Sequence, residues 1–208
     1  MQKKYKLIPK TSLRKPRAIL IGSSTGGLQA VSRIFSELKN YRIEIPILIT
    51  QHIPENIDKS FVDKIASVSG LPTKLAEENE EIIAGKIYVA PSNKHLSLEK
   101  KGDRIVACLL DTPPINFCKP AVDPMFSSAA EVWNGNVFGV ILTGIGNDGL
   151  EGARKIVEEG GIIIAQDEET SVVWGMPGAV AKEGLCTEIL PIDKIAEYLR
   201  KNSMGVIF

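Results

Sequence analysis

Three turns of this sequence carry residues that could act together as nucleophile, base and orienting acid. Ser24 stands in Gly22-Ser23-Ser24-Thr25-Gly26, His52 in Thr50-Gln51-His52-Ile53-Pro54, and Asp148 in Gly146-Asn147-Asp148-Gly149. The first turn fits G-x-S-x-G, in which a serine sits on a tight strand-to-helix turn with its hydroxyl raised above a sheet. Small flanking residues let such a turn close, and the helix that follows offers backbone N–H groups to an oxyanion. The same residues do not fit the dinucleotide fingerprint GxGxxG and lack the lysine of a P-loop. The competing use of Ser24 or Thr25 is to cap the next helix.

A serine nucleophile needs a base, and the chain has 2 histidines. His52 directly follows the apolar run IPILITQ, whereas His95 lies in PSNKHLSL at the start of a hairpin pattern, so His52 shares its strand-end position with Ser24. The third member should be a carboxylate that orients the imidazole. Asp148 leaves the end of the run VILTG, with Asp111 and Asp123 as competitors in other loops. Asp148 also reads as an N-cap for LEGARKIVEEG and as the first half of an Asp-Gly turn. The chain order Ser, His, Asp differs from the Ser, Asp, His order of α/β-hydrolases.

These turns need elements to hold them. RAILIG, IPILITQ, KIYVAP, NVFGVILTG, IIIAQ and CTEILP are short apolar runs of strand type. Between them lie helical patterns: LQAVSRIFSELKN, a segment opening at Asp58, about Val122 to Trp133, DGLEGARKIVEEGG, MPGAVAKEG and DKIAEYLRK. HLSLEKKGDRIVACLL reads as an antiparallel hairpin turning at Lys101-Gly102-Asp103. Continuous apolar strands alternating with helices predict a mainly parallel sheet covered on both faces, an α/β/α sandwich with an inserted antiparallel hairpin. In such a sheet ligands bind beyond the carboxyl ends of the strands, which is where all three turns fall.

With 208 residues, 44% hydrophobic and 24% charged, the chain has the composition of one soluble globular domain. Lys plus Arg number 25 and Asp plus Glu 25, so no overall field draws in nucleic acid or an anionic membrane. Three widely spaced cysteines (Cys108, Cys118, Cys186) without a CxxC suit a reducing cytoplasm and no zinc site. Cys108 and Cys186 read as strand interiors, and Cys118 as the one open to solvent. No run reaches the roughly 18 apolar residues that span a bilayer. Residues 1–16 form a basic tail or linker, and 17–208 a single domain. Lys3, Lys4, Lys6, Lys10, Arg14, Lys15 and Arg17 stand in the first 17 positions without an acidic residue; the run is either a solvated linker or a docking arm for an acidic partner.

The segments ILIGSSTGG, ITQHIP, GKIYVAPSNKHL, PPIN with PAVDPMF, GVILTGIGNDG and IIAQDEETSVVWGMPGAV, in this order, resemble the catalytic domain of the chemotaxis protein-glutamate methylesterases, the CheB family. The resemblance implies a seven-stranded sheet and a triad of Ser24, His52 and Asp148. It also implies an oxyanion site at the backbone N–H groups of Thr25 and Ile145. The implied reaction is hydrolysis of glutamyl methyl esters on the cytoplasmic helices of methyl-accepting receptors, with glutamine deamidation by the same route and no metal or organic cofactor. Three departures accompany it. Ile145 stands where the family usually has Met, and Phe117-Cys118-Lys119 replaces a polar pair and Arg. The expected receiver domain ahead of the first strand is replaced by the basic tail. A catalytically silent binding module of the same fold is the alternative. A dinucleotide-dependent oxidoreductase is disfavoured, because Gln51-His52 stands where that fold ends its second strand in an acidic residue.

Overall fold

The computed structural model describes residues 5–9, 15–54 and 57–203. Nine strands and six helices are present among them: β1 (Ala18–Ser23), α1 (Gly27–Leu38), β2 (Ile47–Gln51), α2 (Asp58–Ser69), β3 (Thr73–Leu75), β4 (Ile87–Val89), β5 (His95–Lys101), β6 (Arg104–Leu110), α3 (Val122–Val132), β7 (Val137–Ile141), α4 (Leu150–Glu158), β8 (Ile162–Gln166), α5 (Met176–Lys182), β9 (Glu188–Leu190) and α6 (Ile192–Ser203). Seven strands form one sheet in the order β3-β4-β2-β1-β7-β8-β9, and β5 pairs with β6 in a separate two-stranded sheet. Every pairing in the large sheet is parallel, and the hairpin is antiparallel with Lys101 opposite Arg104.

The apolar strands are continuous in sequence because both faces are buried, and their side chains alternate between two cores. Ile19, Ile21, Ile47, Ile49, Ile87 and Val89 point to the side covered by α1, α2 and α6, where they meet Val31, Phe35, Phe61 and Leu199. Leu20, Leu48 and Tyr88 point the other way, toward Met125, Phe126 and Ala129 of α3 and Ala153 and Ile156 of α4. The hairpin lies over α3, with Leu96, Leu98 and Ala107 buried and Ser128 Oγ accepting a 2.9 Å bond from the Leu98 N–H.

The sequence pattern misses β3. At three half-buried residues on the sheet edge it is too short to show a period. Cys108, expected inside a strand, lies on β6 but is half-buried, because a two-stranded sheet packed on one helix leaves its other face wet. Within the N-terminal stretch, the Ile8 N–H donates to the Cys186 carbonyl at 2.8 Å and the Tyr5 ring lies 5.4 Å from that of Trp174. The charges at Lys3, Lys4, Lys10 and Arg14 lie outside the described residues.

Strand order reverses between β1 and β7, since the chain runs outward from β1 through β2 to β4 and returns to β1's other side with β7. A crevice opens beyond the carboxyl ends of strands at such a reversal. The turns after β1 and β7 carry Ser24 and Asp148.

Candidate active site

Parallel register sets the first two side chains beside each other. Ser23 pairs with Gln51, and the His52 N–H donates to the Ser23 carbonyl at 3.0 Å, so Ser24 and His52 leave neighbouring strands at the same level. Neighbouring strands run about 4.8 Å apart. Ser24 does not cap α1: the cap position is Gly26, at φ 81°, and no side chain bonds that helix end. The turn is instead pinned through its backbone. Ser24 N–H donates to the Thr143 carbonyl at 3.0 Å, and its carbonyl accepts from Gly27 N–H and Gln51 Nε2, both at 2.8 Å. Gly144 is required where the β7 turn crosses this one, because a Cβ there would lie 2.8 Å from that of Ser24 and 2.3 Å from Met176 Sδ.

His52 and Asp148 meet directly, Nε2 to Oδ2 at 2.7 Å, with Asp148 only 2% exposed. Asp148 does not cap α4, whose cap position is Gly149 with no side-chain bond. Its carboxylate faces the start of α3, accepting from Val122 N–H at 2.6 Å and Asp123 N–H at 3.3 Å, with Gly149 N–H on Oδ1 at 2.9 Å. The positive end of α3 thus supports the negative charge. Burial alone would raise the Asp148 pKa, but the bond from His52 and those from Val122 and Asp123 carry it below the usual carboxylate range. Burial of the His52 ring works to lower its pKa. The Asp148 bond, with Cys118 adding to it, outweighs that and raises it to about 9. Both partners therefore favour an imidazolium–carboxylate pair.

With Nε2 committed to Asp148, Nδ1 is the ring nitrogen left for a second partner. Cys118 Sγ lies 3.4 Å from it, and among the described residues the Ser24 hydroxyl has no hydrogen-bond partner. Sequence reasoning singled out Cys118 as exposed but not as a neighbour of the base. It is placed there by a two-residue turn in which Ile115 and Cys118 exchange backbone bonds of 3.0 and 2.8 Å, while Asn116 and Phe117 take φ of 51° and 63°. Asn116 was also missed as a site residue, although it lies in the PPIN segment. Its Nδ2 bridges Asp123 at 2.9 Å and Asp148 at 3.4 Å. Asp123, mostly buried, has its pKa pushed up to about 6 by burial and by the charge of Asp148, against the lowering bond from Gly152 N–H.

The other candidates separate cleanly. His95 is fully buried, with Nδ1 accepting from Ala121 N–H at 3.0 Å and Nε2 on the Pro113 carbonyl at 3.1 Å, which makes it a structural residue. Asp111 is exposed and paired with Lys119 at 2.6 Å. Thr25 and Ile145 sit on the two turns that flank Ser24, and neither N–H enters a backbone bond among the described residues. The ligating atoms of His52, Cys118 and Asp148 lie within 4.8 Å of one another. A cleft of about 460 Å³ is lined by Ile53 and Pro54, which follow His52 in the chain, and by Lys94, Asp111 and Lys119 among others.

Fold and site together define an α/β protein with a carboxylate-held histidine beside a G-x-S-x-G turn at the switch point of a parallel sheet, the layout of a serine hydrolase. Residues 19–199 match the CheB methylesterase family model, and the chain belongs to that family. A relative from Rhodopseudomonas palustris, named protein-glutamate methylesterase/protein-glutamine glutaminase of group 2 operon, is 49% identical over 180 residues, covering 86% of this chain and 46% of its own. A protein-glutamate methylesterase/protein-glutamine glutaminase from Nitrobacter hamburgensis is 46% identical over 188 residues, covering 90% of this chain and 49% of its own. The chain thus spans about half the length of these curated relatives. The crystal structure of the Thermotoga maritima CheB methylesterase catalytic domain superimposes with a TM-score of 0.85 at 40% identity, covering 90% of this chain and 98% of that one.

Proposed function

We propose that this chain hydrolyses glutamyl methyl esters on the cytoplasmic helices of chemoreceptors, and glutamine side-chain amides by the same tetrahedral route. The observation that carries the reading is the 2.7 Å pairing of His52 Nε2 with Asp148, in register with Ser24 across β1 and β2. In this mechanism neutral His52 takes the Ser24 proton at Nδ1 as Oγ attacks the ester carbonyl, and Asp148 stabilises the imidazolium that forms. The N–H groups of Thr25 and Ile145 hold the developing oxyanion. The imidazolium then protonates the leaving methanol, and water, activated by the same ring, releases the glutamate carboxylate.

The surroundings suit a helix with an apolar stripe and acidic flanks. Phe117 is fully exposed, Ile145 and Val172 are exposed beside the turns, and Lys94 lines a nearby cleft in which Lys119 is paired with Asp111. No helix among the described residues is long and apolar enough to cross a membrane. The test is methanol release from methylated receptor. Wild type should release it, while Ser24→Ala should fall by roughly 10⁴-fold or more with its fold intact; comparable turnover in Ser24→Ala would exclude covalent serine catalysis.

A further inference from the structure

We propose that Cys118 is a second nucleophile on the base of the Ser24 site, a thiol that a hydroperoxide oxidises in place and whose oxidation switches ester hydrolysis off. The switching half rests on the hydrolase reading above; the reactivity half does not. Nucleophile, base and orienting carboxylate are already assembled, with Cys118 Sγ 3.4 Å from His52 Nδ1 and Nε2 of the same ring 2.7 Å from Asp148. A thiol attacks as its thiolate, and a histidine held by a carboxylate is the group that produces and stabilises one.

The other two cysteines lack this environment. Cys186 is fully buried, and burial pushes its pKa up to about 12. Cys108 is raised by burial and then by the charges of Glu78 and Glu99. Cys118 is part-exposed, so a small oxidant reaches it.

The step balances with the peroxide as sole co-reactant. His52 takes the thiol proton, and the thiolate attacks one peroxide oxygen while the O–O bond breaks. The departing hydroxide takes the imidazolium proton and leaves as water. Sulfur is oxidised by two electrons to a sulfenic acid, and the peroxide is reduced. The thiol already stands 3.4 Å from Nδ1 as a long, weak contact; the added oxygen replaces it with a shorter O–H···N bond, which denies Ser24 its proton acceptor. Excess thiol returns the sulfenic acid to the thiol and restores the site.

The experiment treats the full chain with a small excess of hydrogen peroxide, traps sulfenic acid with dimedone, maps the adduct by mass spectrometry and follows hydrolysis of a small neutral ester in parallel. The adduct should form on Cys118 and not on Cys108 or Cys186. Hydrolysis should fall at least about tenfold and recover with dithiothreitol, and labelling should slow roughly tenfold in His52→Gln. Asp148→Asn serves as the second variant should His52→Gln fail to fold by circular dichroism. The rate of Cys118→Ala, whatever its size, should not respond to peroxide. An adduct on Cys118 with unchanged hydrolysis overturns the switch, and equal labelling with and without His52 overturns the nucleophile. Absence of ester hydrolysis in untreated wild type would count against the hydrolase reading, while the labelling rates still decide whether Cys118 is activated.

Discussion

On the hydrolase reading His52 is the general base, which works only while it is neutral, whereas the ring is held toward its charged form. Burial opposes this, but the Asp148 bond and then Cys118 bring its pKa to about 9, against an ordinary 6.5. The rate of small-ester hydrolysis should therefore climb with pH through the neutral range and level off near 9 rather than near 6.5. Cys118→Ala removes one raising contact, so its limb should move to lower pH; an unmoved limb would show that the thiol does not touch the base in solution. Stability follows from the same shift with a definite sign. A group whose folded pKa is raised contributes stability that is whole below its unfolded value and is lost as pH rises through the folded one. The denaturant midpoint of wild type relative to His52→Gln should accordingly be largest near pH 6 and shrink between about 6.5 and 9. A gap that widens over that interval would contradict the imidazolium–carboxylate pair.

The carboxylate that orients the histidine is also what finishes a helix. Asp148 accepts from Val122, Asp123 and Gly149 N–H groups and from Asn116, so its removal orphans buried donors at the start of α3 as well as releasing His52. Asp148→Ala should cost about 3 kcal/mol in urea unfolding. Ser24→Ala, whose hydroxyl bonds no described residue, should stay within about 0.5 kcal/mol. Similar costs for the two would mean that α3 does not depend on Asp148. The elements themselves were legible because buried parallel strands are apolar without interruption and their helices are not, and the strand-end turns pointed to Ser24, His52 and Asp148. What Asp148 caps was not legible, because an Asp-Gly ahead of a helix looks the same whether its carboxylate turns to that helix or to another. β3 was too short to show a pattern. Cys118 was hidden because its place depends on a turn with two residues at positive φ, Asn116 and Phe117, neither of them glycine. Glycine at Phe117 would fit that backbone better, and Phe117→Gly should raise stability by roughly half a kcal/mol. A loss of stability would show that the exposed ring is held by something beyond the turn.

At the scale of the molecule, equal numbers of acidic and basic residues leave no net field, and on the methylesterase reading it is an acidic receptor helix that has to be guided toward the crevice. Guidance must come from local asymmetry. The densest one in the sequence is the basic stretch ending at Arg17, whose Tyr5 and Ile8 lie against the domain at Trp174 and Cys186. Replacing Lys3, Lys4, Lys10 and Arg14 by Gln removes four charges while keeping those two anchors. On the methylesterase reading, this variant should demethylate receptor several-fold more slowly at low ionic strength, because long-range attraction acts on the encounter rate. The deficit should close as salt passes about 0.15 M, where charges are screened beyond about 8 Å. A small neutral ester feels no such attraction, so its hydrolysis should be the same in both proteins at every salt concentration. Equal receptor rates at low salt would mean that these charges do not steer the encounter. A deficit that persisted at high salt, or appeared with the neutral ester, would mean that they act on the domain itself.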